Sequence, residues 1–309
     1  MADTLGGENA FCSSHQGLQS ALSIVYQATK ISMRRPFMNT RTLTQSPPVG
    51  IGQRLSQWLG LADDETRAPQ MPWRFAIIGT LLVCAVLSVY RWYQQNYSFT
   101  VGLDYFEEDF QTYWMSLFYI QMSLITLAGA IGVPLIWFTR PANPTMTARQ
   151  ELRVYYLILA FAAVASVVVV GALGLFVEAD AAWHQVTVRD TDFTPTHIGL
   201  FYFVIPAGLV GGILGFIWLH TRVPYFVNRV SMPLGIMVGG FILIMPNLGF
   251  NEWGHTFFYA EELFAAPIHW GFVVLGWALF AIGGWVLQIM NRIRELTAVD
   301  SDTVISRSA

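Results

Sequence analysis

Residues 154–177 have the sequence VYYLILAFAAVASVVVVGALGLFV, an apolar run without a single charged side chain. About 20 helical residues cross the hydrocarbon core of a bilayer, so this run is long enough to span it as a helix. None of the chain's apolar runs shows the alternating polarity of a transmembrane β-strand. Five more runs occur, at about 75–93, 112–138, 198–220, 233–250 and 267–290. We therefore predict an all-α, polytopic membrane bundle of about six transmembrane helices within residues 71–292, the fifth of them weakened by Pro246 near its end.

The overall composition supports a membrane protein and excludes two other classes. Of the 309 residues, 54% are hydrophobic and 12% are charged, whereas soluble domains carry about 25% charged residues. The formal net charge of −3 excludes a protein that binds nucleic acid by neutralising many phosphates with a basic face. Cys12 lies in a polar tail and Cys84 in an apolar run, which excludes a disulfide framework.

The basic residues are distributed unevenly between the two sides of the predicted bundle. All Lys and Arg residues except Arg91 and Arg189 fall in the N-terminal region, the 139–153 and 221–232 loops, or the region after the last span. The positive-inside rule then predicts that both termini are cytoplasmic and that the three acidic loops face the opposite side. Residues 1–70 are expected to form a cytoplasmic segment, residues 71–292 the transmembrane domain, and residues 293–309 a cytoplasmic tail.

The N-terminal segment contains two stretches with apolar residues at helical spacing. The first comprises Leu18, Leu22, Val25 and Ile31, and the second comprises Ile51, Leu55, Trp58 and Leu59. Amphipathic helices of this kind either pack on the rest of the protein or lie at the interface on anionic lipid, and the sequence leaves both open.

Four of the six histidines map to the outer ends of predicted spans, where they form two sets with nearby polar residues. In the first set, Asp180 and His184 are four residues apart, so they share one face if the helix continues there. Thr194 and Pro195 suit the cap and the first position of the fourth span, which places His197 in its first turn. A helix N-terminus disfavours a protonated imidazole, and metal binding requires the neutral ring. Asp180, His184 and His197 are therefore candidate metal ligands.

The fifth and sixth spans repeat this layout. Asn251 and His255 are again four residues apart, and His269 follows Pro267, which we expect to begin the sixth span. The neutral carbonyl of Asn251 is a weaker ligand than a carboxylate, so this set should hold a metal less tightly. If Pro246 unwinds the helix, Asn251 and His255 lose their common face.

Other chemistries fit the sequence less well. Interfacial histidines and acids also cap helices, face water or pair with Arg189, and each set taken alone leaves this alternative open. Bis-histidine haem would need histidines well inside the spans, and there are none. The chain also has no Gly-rich phosphate loop that follows a strand and no serine nucleophile elbow.

Several strings around the two sets resemble a known family. They are EADAAWHQ (178–185), RDTDFTPTH (189–197), PNLGFNEWGH (246–255) and EELFAAPIHWGF (261–272), with GLD (102–104) and FQTYWM (110–115) before the second span. The sequence resembles the C subunit of the copper membrane monooxygenases, the family that includes particulate methane monooxygenase, ammonia monooxygenase and relatives acting on short alkanes. The resemblance extends from about residue 75 to 295.

The resemblance implies two copper sites, with iron and zinc less favoured. Asp180, His184 and His197 match one site, and Asn251, His255 and His269 match the other. It also implies a trimer of three-subunit protomers in a bacterial inner or intracytoplasmic membrane, with an A subunit and a copper-binding B subunit as partners. The metal sites would lie toward the periplasm, and a quinol would serve as the reductant.

The function implied by the resemblance is insertion of one oxygen atom of O2 into a small substrate. Methane, ammonia and C2–C4 alkanes all stay open, although residues 189–194 resemble the hydrocarbon branch more closely. Ala179 replaces a larger polar residue of the relatives, which affects the substrate cavity more than the metal. Trp183, Trp253 and Trp270 either wall the sites or belong to an aromatic belt at the membrane interface. Candidate groups for proton delivery are Glu178, Asp190, Asp192, Glu252, Glu261 and Glu262.

Two alternatives from other classes compete with the oxygenase. One is a non-catalytic subunit with a structural metal. A structural metal site is closed, whereas a catalytic site keeps one coordination position open. The other is a metal transporter, which would need polar residues at the middle of the membrane, and the predicted spans supply few.

Overall fold

The computed structural model describes residues 50–62, 68–183, 193–258, 261–299 and 303–305, excepting the side chains of residues 173, 181 and 246–275. The chain divides into two units after residue 49, and all described residues belong to the second. Its helices are α1 (Ile51–Leu59), α2 (Trp73–Val101), α3 (Glu108–Phe138), α4 (148–183), α5 (Pro195–Arg222), α6 (Pro224–Val227), α7 (Met232–Phe258) and α8 (Glu261–Thr297). Strands β1 (Met146–Thr147) and β2 (Val304–Ile305) pair antiparallel.

Within the described residues, four helices are long and apolar enough to cross a membrane, namely α2, α3, α4 and α5. Helix α7 adds a shorter apolar stretch, Met232–Met245, and the last two predicted spans fall in α7 and α8. Only 6% of the most apolar stretch of α3 is buried, so its apolar side chains need lipid or a partner subunit against them. The prediction of an all-α membrane bundle is confirmed.

Two helix boundaries differ from the prediction. Helix α7 continues through Pro246 to Phe258, and α8 begins at Glu261, so Pro267 lies inside a helix and not at its start. Proline removes one backbone hydrogen bond, but membrane helices tolerate the loss where neighbouring helices supply other partners. Helices α7 and α8 pack against each other more extensively than any other pair of described elements. The expected helix start at Pro267 was therefore wrong, and Pro246 does not interrupt α7.

The second predicted amphipathic stretch forms helix α1. Its apolar residues Ile51, Leu55 and Trp58 are exposed, and the helix buries none of its residues. The Arg74 guanidinium at the start of α2 donates a 3.1 Å hydrogen bond to the carbonyl oxygen of Trp58. The helix is thus tethered to the bundle, while its apolar face stays open to lipid or a partner. The first predicted stretch, residues 18–31, lies outside the described residues.

Three of the spans contain a π-helical turn: Gln111–Met115 in α3, Ala172–Val177 in α4 and Leu200–Val204 in α5. Such turns are rare and occur frequently at functional sites. Phe176 from the second turn is buried with Phe201 from the third and with Leu87 of α2. Trp114 from the first turn is buried with Ile198, just before the third. The π turns of α3 and α4 therefore pack against the beginning of helix α5, which contains the third.

The other end of the bundle has a separate core. Tyr155 near the start of α4 is buried with Phe226 of α6 and Ile289 near the end of α8. The two-residue strands β1 and β2 attach the C-terminal residues to the start of α4, since Met146 pairs with Ile305. Helices α4, α6 and α8 are therefore fixed to one another at the end away from the π turns.

Candidate metal centre

His197 lies in the first turn of helix α5, where the backbone adopts the predicted cap. Thr194 is the N-cap residue, and its hydroxyl accepts a 3.0 Å hydrogen bond from the backbone N–H of His197. Pro195 lies in the first turn, where its missing N–H leaves no hydrogen bond unmade. The hydroxyl oxygens of Thr194 and Thr196 are 3.0 Å apart, and both side chains are buried. The predicted cap and the predicted place of His197 are confirmed.

Asp180 approaches His197 from the end of helix α4. It lies in the α-helical segment Glu178–Trp183, three residues after the π turn Ala172–Val177. Its Oδ1 atom is 3.4 Å from Nε2 of His197, and the two side chains are 16% and 2% exposed, respectively. The fold thus brings two of the candidate ligands together from different helices.

The separation of these two atoms suits a pair of ligands to one metal ion. Imidazole nitrogens and carboxylate oxygens lie about 2.0–2.2 Å from a zinc ion, so two ligands in tetrahedral geometry are roughly 3.3–3.6 Å apart. A charge-assisted N–H···O hydrogen bond is shorter, at about 2.7–2.9 Å. One imidazole and one carboxylate are also donors that divalent first-row metals accept, copper among them. The described donors therefore fit a transition metal.

One aromatic ring contacts this pair, and a second aromatic side chain is buried three residues after Asp180. The ring of Phe201 lies against the imidazole of His197, with centroids 4.7 Å apart. Trp183, only 2% exposed, packs against Phe99 with ring centroids 5.2 Å apart. Burial within the protein contrasts with the lipid-headgroup contact of an aromatic belt residue. Water is largely kept from His197, which strengthens any electrostatic interaction there.

Glu178, one of the candidates for proton delivery, has a different partner. Its Oε2 atom lies 3.7 Å from a guanidinium nitrogen of Arg91 on helix α2, and its side chain is 68% exposed. Exposed ion pairs of this kind contribute little to stability, about 0–1 kcal/mol. The Glu178–Arg91 pair connects α4 to α2 at the surface.

The remaining candidate ligands lie partly or wholly outside the described residues. His184 falls between residues 183 and 193. Asn251 and His255 are four residues apart in the continuous helix α7 and His269 lies in α8, but their side chains belong to the undescribed set. Among the side chains that the structure describes, no group of three or more His, Cys, Asp and Glu residues could hold a metal ion. The ligand roles of all six residues stay predictions.

Two glutamines that the sequence did not single out contact the same turn of helix α5. The side-chain amide of Gln94 in α2 donates to the carbonyl oxygen of Pro195 over 3.2 Å. The amide of Gln121 in α3 donates to the carbonyl oxygen of Ile198 over 2.6 Å. In the sequence, each appears only as an uncharged amide beside or inside an apolar run. This pattern does not indicate the hydrogen-bond partner of either side chain.

Comparison with known proteins identifies the family. The family of the C subunit of ammonia monooxygenase and methane monooxygenase matches residues 60–300. No individually curated protein matches the chain. The matched range includes every helix from α2 to α8, the Asp180–His197 pair and the second candidate set. The chain is thus a multi-pass membrane protein and belongs to the family of C subunits of the ammonia and methane monooxygenases, which are multi-subunit membrane enzymes.

Proposed function

We propose that this chain is the metal-bearing membrane subunit of a copper-dependent monooxygenase. The complex inserts one oxygen atom of O2 into methane or a short alkane, with ammonia as the second candidate substrate. The observation that carries this proposal is the 3.4 Å approach of Asp180 Oδ1 to His197 Nε2 in a buried, aromatic setting. Membership of the family supplies the class of reaction.

Two copper sites are assigned to the chain. Asp180, His184 and His197 form the first, supported by the donor chemistry and separation of the described pair. Asn251, His255 and His269 form the second, supported by the four-residue spacing of the first two in one unbroken helix. Copper bound there would supply redox chemistry and open coordination positions for O2.

The chain's own residues prepare the first site for a metal. The Thr194 cap fixes the backbone of His197 in the first turn of the helix. A metal binds the neutral ring through its lone pair, so metal binding competes with protonation of His197. Phe201 covers the imidazole of His197, and such an apolar surface suits a small hydrocarbon better than the more polar ammonia.

The proposal includes the complex and its orientation. The chain joins an A subunit and a B subunit in a trimer of such protomers, within a bacterial inner or intracytoplasmic membrane. Both termini are cytoplasmic and both metal sites lie toward the periplasm, as the distribution of basic residues supports. A quinol is the reductant. The segments between spans are too short to fold as a domain, so a soluble copper-binding region has to come from a partner.

The experiment uses the purified complex with Asp180→Ala and His255→Ala, each changing one candidate site. Both variants are expected to lose copper, measured by mass spectrometry, and to lose methane oxidation. Asp109→Ala is the matched control, because it removes an exposed carboxylate near the start of α3. Full copper content and full turnover in both site variants would reject the assignment.

A second measurement separates the oxygenase from a subunit with a structural metal. A catalytic site keeps a coordination position open, whereas a structural site is closed and exchanges its metal poorly. Addition of azide to the oxidised complex should therefore change its Cu(II) electron paramagnetic resonance spectrum. A spectrum unchanged by azide, with full methane oxidation, would indicate a structural metal in this chain.

A further inference from the structure

The first turn of helix α5 is held from two sides by buried amides. Gln94 donates to the carbonyl oxygen of Pro195 and Gln121 to that of Ile198, so the two contacts bracket His197 in the sequence. The two glutamines are 1% and 4% exposed. Neither side chain is exposed to water. Each of the two hydrogen bonds joins the glutamine to another helix and not to its own.

Burial of these amides needs a reason, because it is costly without hydrogen bonds. Burial of an amide without a hydrogen-bond partner costs free energy, and in a bilayer no water is available as a substitute partner. A buried glutamine in an apolar membrane span is therefore expected where its hydrogen bond joins two helices. Here both bonds end on the same turn of α5, one from α2 and one from α3.

The donor of the second bond is itself held in place. The Tyr90 hydroxyl donates to Oε1 of Gln121 over 3.4 Å. The Tyr90 ring stacks on Phe203 with centroids 5.6 Å apart and meets Phe176 edge-on with centroids 5.3 Å apart. Phe176 and Phe203 belong to the π turns of α4 and α5, so the amide is linked to both.

The helices can make these contacts because residue 199 has no side chain. A Cβ atom at Gly199 would lie 2.8 Å from Nε2 of Gln94 and 3.0 Å from Cε1 of Tyr90. The π turn Leu200–Val204 begins at the next residue and changes the hydrogen-bond register of the helix. The turn that carries His197 is thus attached to α2 and α3 before the register of α5 changes.

We infer that Gln94 and Gln121 are positioning residues that hold His197 against Asp180. They act through the backbone carbonyls of Pro195 and Ile198 and contact neither candidate ligand by the bonds described. The inference rests on the proposed function where it concerns copper. Its backbone part, that the two amides stabilise this turn, can be measured without any metal.

The first test measures backbone amide hydrogen exchange of residues 196–200 in the copper-depleted complex. Loss of one hydrogen bond changes an equilibrium by about twofold to twelvefold. Gln94→Met and Gln121→Met remove the donors while keeping most of the side-chain volume, and each should speed exchange in this turn by about that factor. Gln95→Met is the matched control, since Gln95 is the exposed neighbour of Gln94 in the same helix, and exchange should stay unchanged.

The second test records the Cu(II) spectrum of the same variants after reloading with copper. A displaced His197 should change the hyperfine splitting of its copper, while Gln95→Met keeps the parent spectrum. If Gln121→Met does not assemble, Gln121→Asn keeps an amide but withdraws the donor by about 1.5 Å, and the same changes are expected.

The outcomes separate the two proposals. Unchanged exchange in both variants overturns the positioning role, and so does faster exchange spread evenly over all spans, which indicates a general loss of stability. An unchanged spectrum with faster exchange at residues 196–200 also overturns it. If His197→Ala retains all copper with the parent spectrum, the copper assignment fails, while the exchange data still decide whether the amides hold the turn.

Discussion

The carboxylate of Glu151 in helix α4 and the guanidinium of Arg292 in helix α8 form a buried, two-point ion pair. Nε of Arg292 donates to Oε1 over 3.1 Å, and Nη2 donates to Oε2 over 3.3 Å. Glu151 is fully buried and also accepts a 2.7 Å hydrogen bond from the Tyr155 hydroxyl. Residues 141 positions apart in sequence thereby fix the beginning of one span to the end of another.

Replacement of Arg292 should destabilise the bundle far more than replacement of its neighbour. Arg292→Leu leaves the Glu151 carboxylate buried without its cation, which costs about 3–5 kcal/mol. Arg294→Leu removes an exposed guanidinium in the same turn and should change stability by less than about 1 kcal/mol. Thermal unfolding of the detergent-solubilised complex, followed by circular dichroism, measures both. Equal midpoints for the two variants would contradict the role of the buried pair.

A methyl group at position 199 should strain the site without changing any polar group. Gly199→Ala brings a carbon within 2.8 Å of the Gln94 amide and 3.3 Å of Phe176. Overpacking of this kind costs about 1–3 kcal/mol. Gly211→Ala, in the same helix, meets nothing within 4 Å and should be neutral or stabilising by up to about 1 kcal/mol. Unfolding midpoints that fall equally in both variants would show that the close approach is not the cause.

Local rules predicted those features that depend on neighbouring residues alone. Hydropathy over about 20 residues identified the four long spans, and the Thr-Pro pair at 194–195 predicted the cap and the place of His197. The same rules failed at Pro267, which lies inside α8, and α7 also continues through Pro246. There the packing of α7 on α8 outweighs the local preference of proline to end a helix.

Contacts between distant residues could not be predicted in this way. The two histidine sets were recognised from spacing, but the 3.4 Å approach of Asp180 to His197 depends on how α4 and α5 pack. Gln94 and Gln121 meet the same turn from two other helices, across 101 and 77 residues of sequence. The three π turns gave no sequence signal, because their register depends on the neighbours that surround them.

The Thr194 hydroxyl should matter to both stability and metal retention. Thr194→Ala removes the acceptor for the His197 N–H and should cost about 0.5–2 kcal/mol. Because this N–H belongs to a candidate ligand, the variant should also release copper faster to a chelator. Thr194→Ser keeps the hydroxyl and serves as the control, with copper release close to that of the parent. Equal copper release from the alanine and serine variants would show that the Thr194 cap does not affect metal retention.

Removal of the metal should abolish turnover reversibly and with a preference for copper. Cyanide treatment of the complex strips copper, and methane oxidation should fall to background because the site residues alone carry no redox chemistry. Copper readdition should restore oxidation in the parent complex but not in Asp180→Ala, whose first ligand set lacks its carboxylate. Zinc should bind the same nitrogen and oxygen donors without restoring turnover, since it has no redox chemistry. Restoration by iron and not by copper, measured as methanol formed per protomer, would contradict the copper assignment while leaving the ligand set in place.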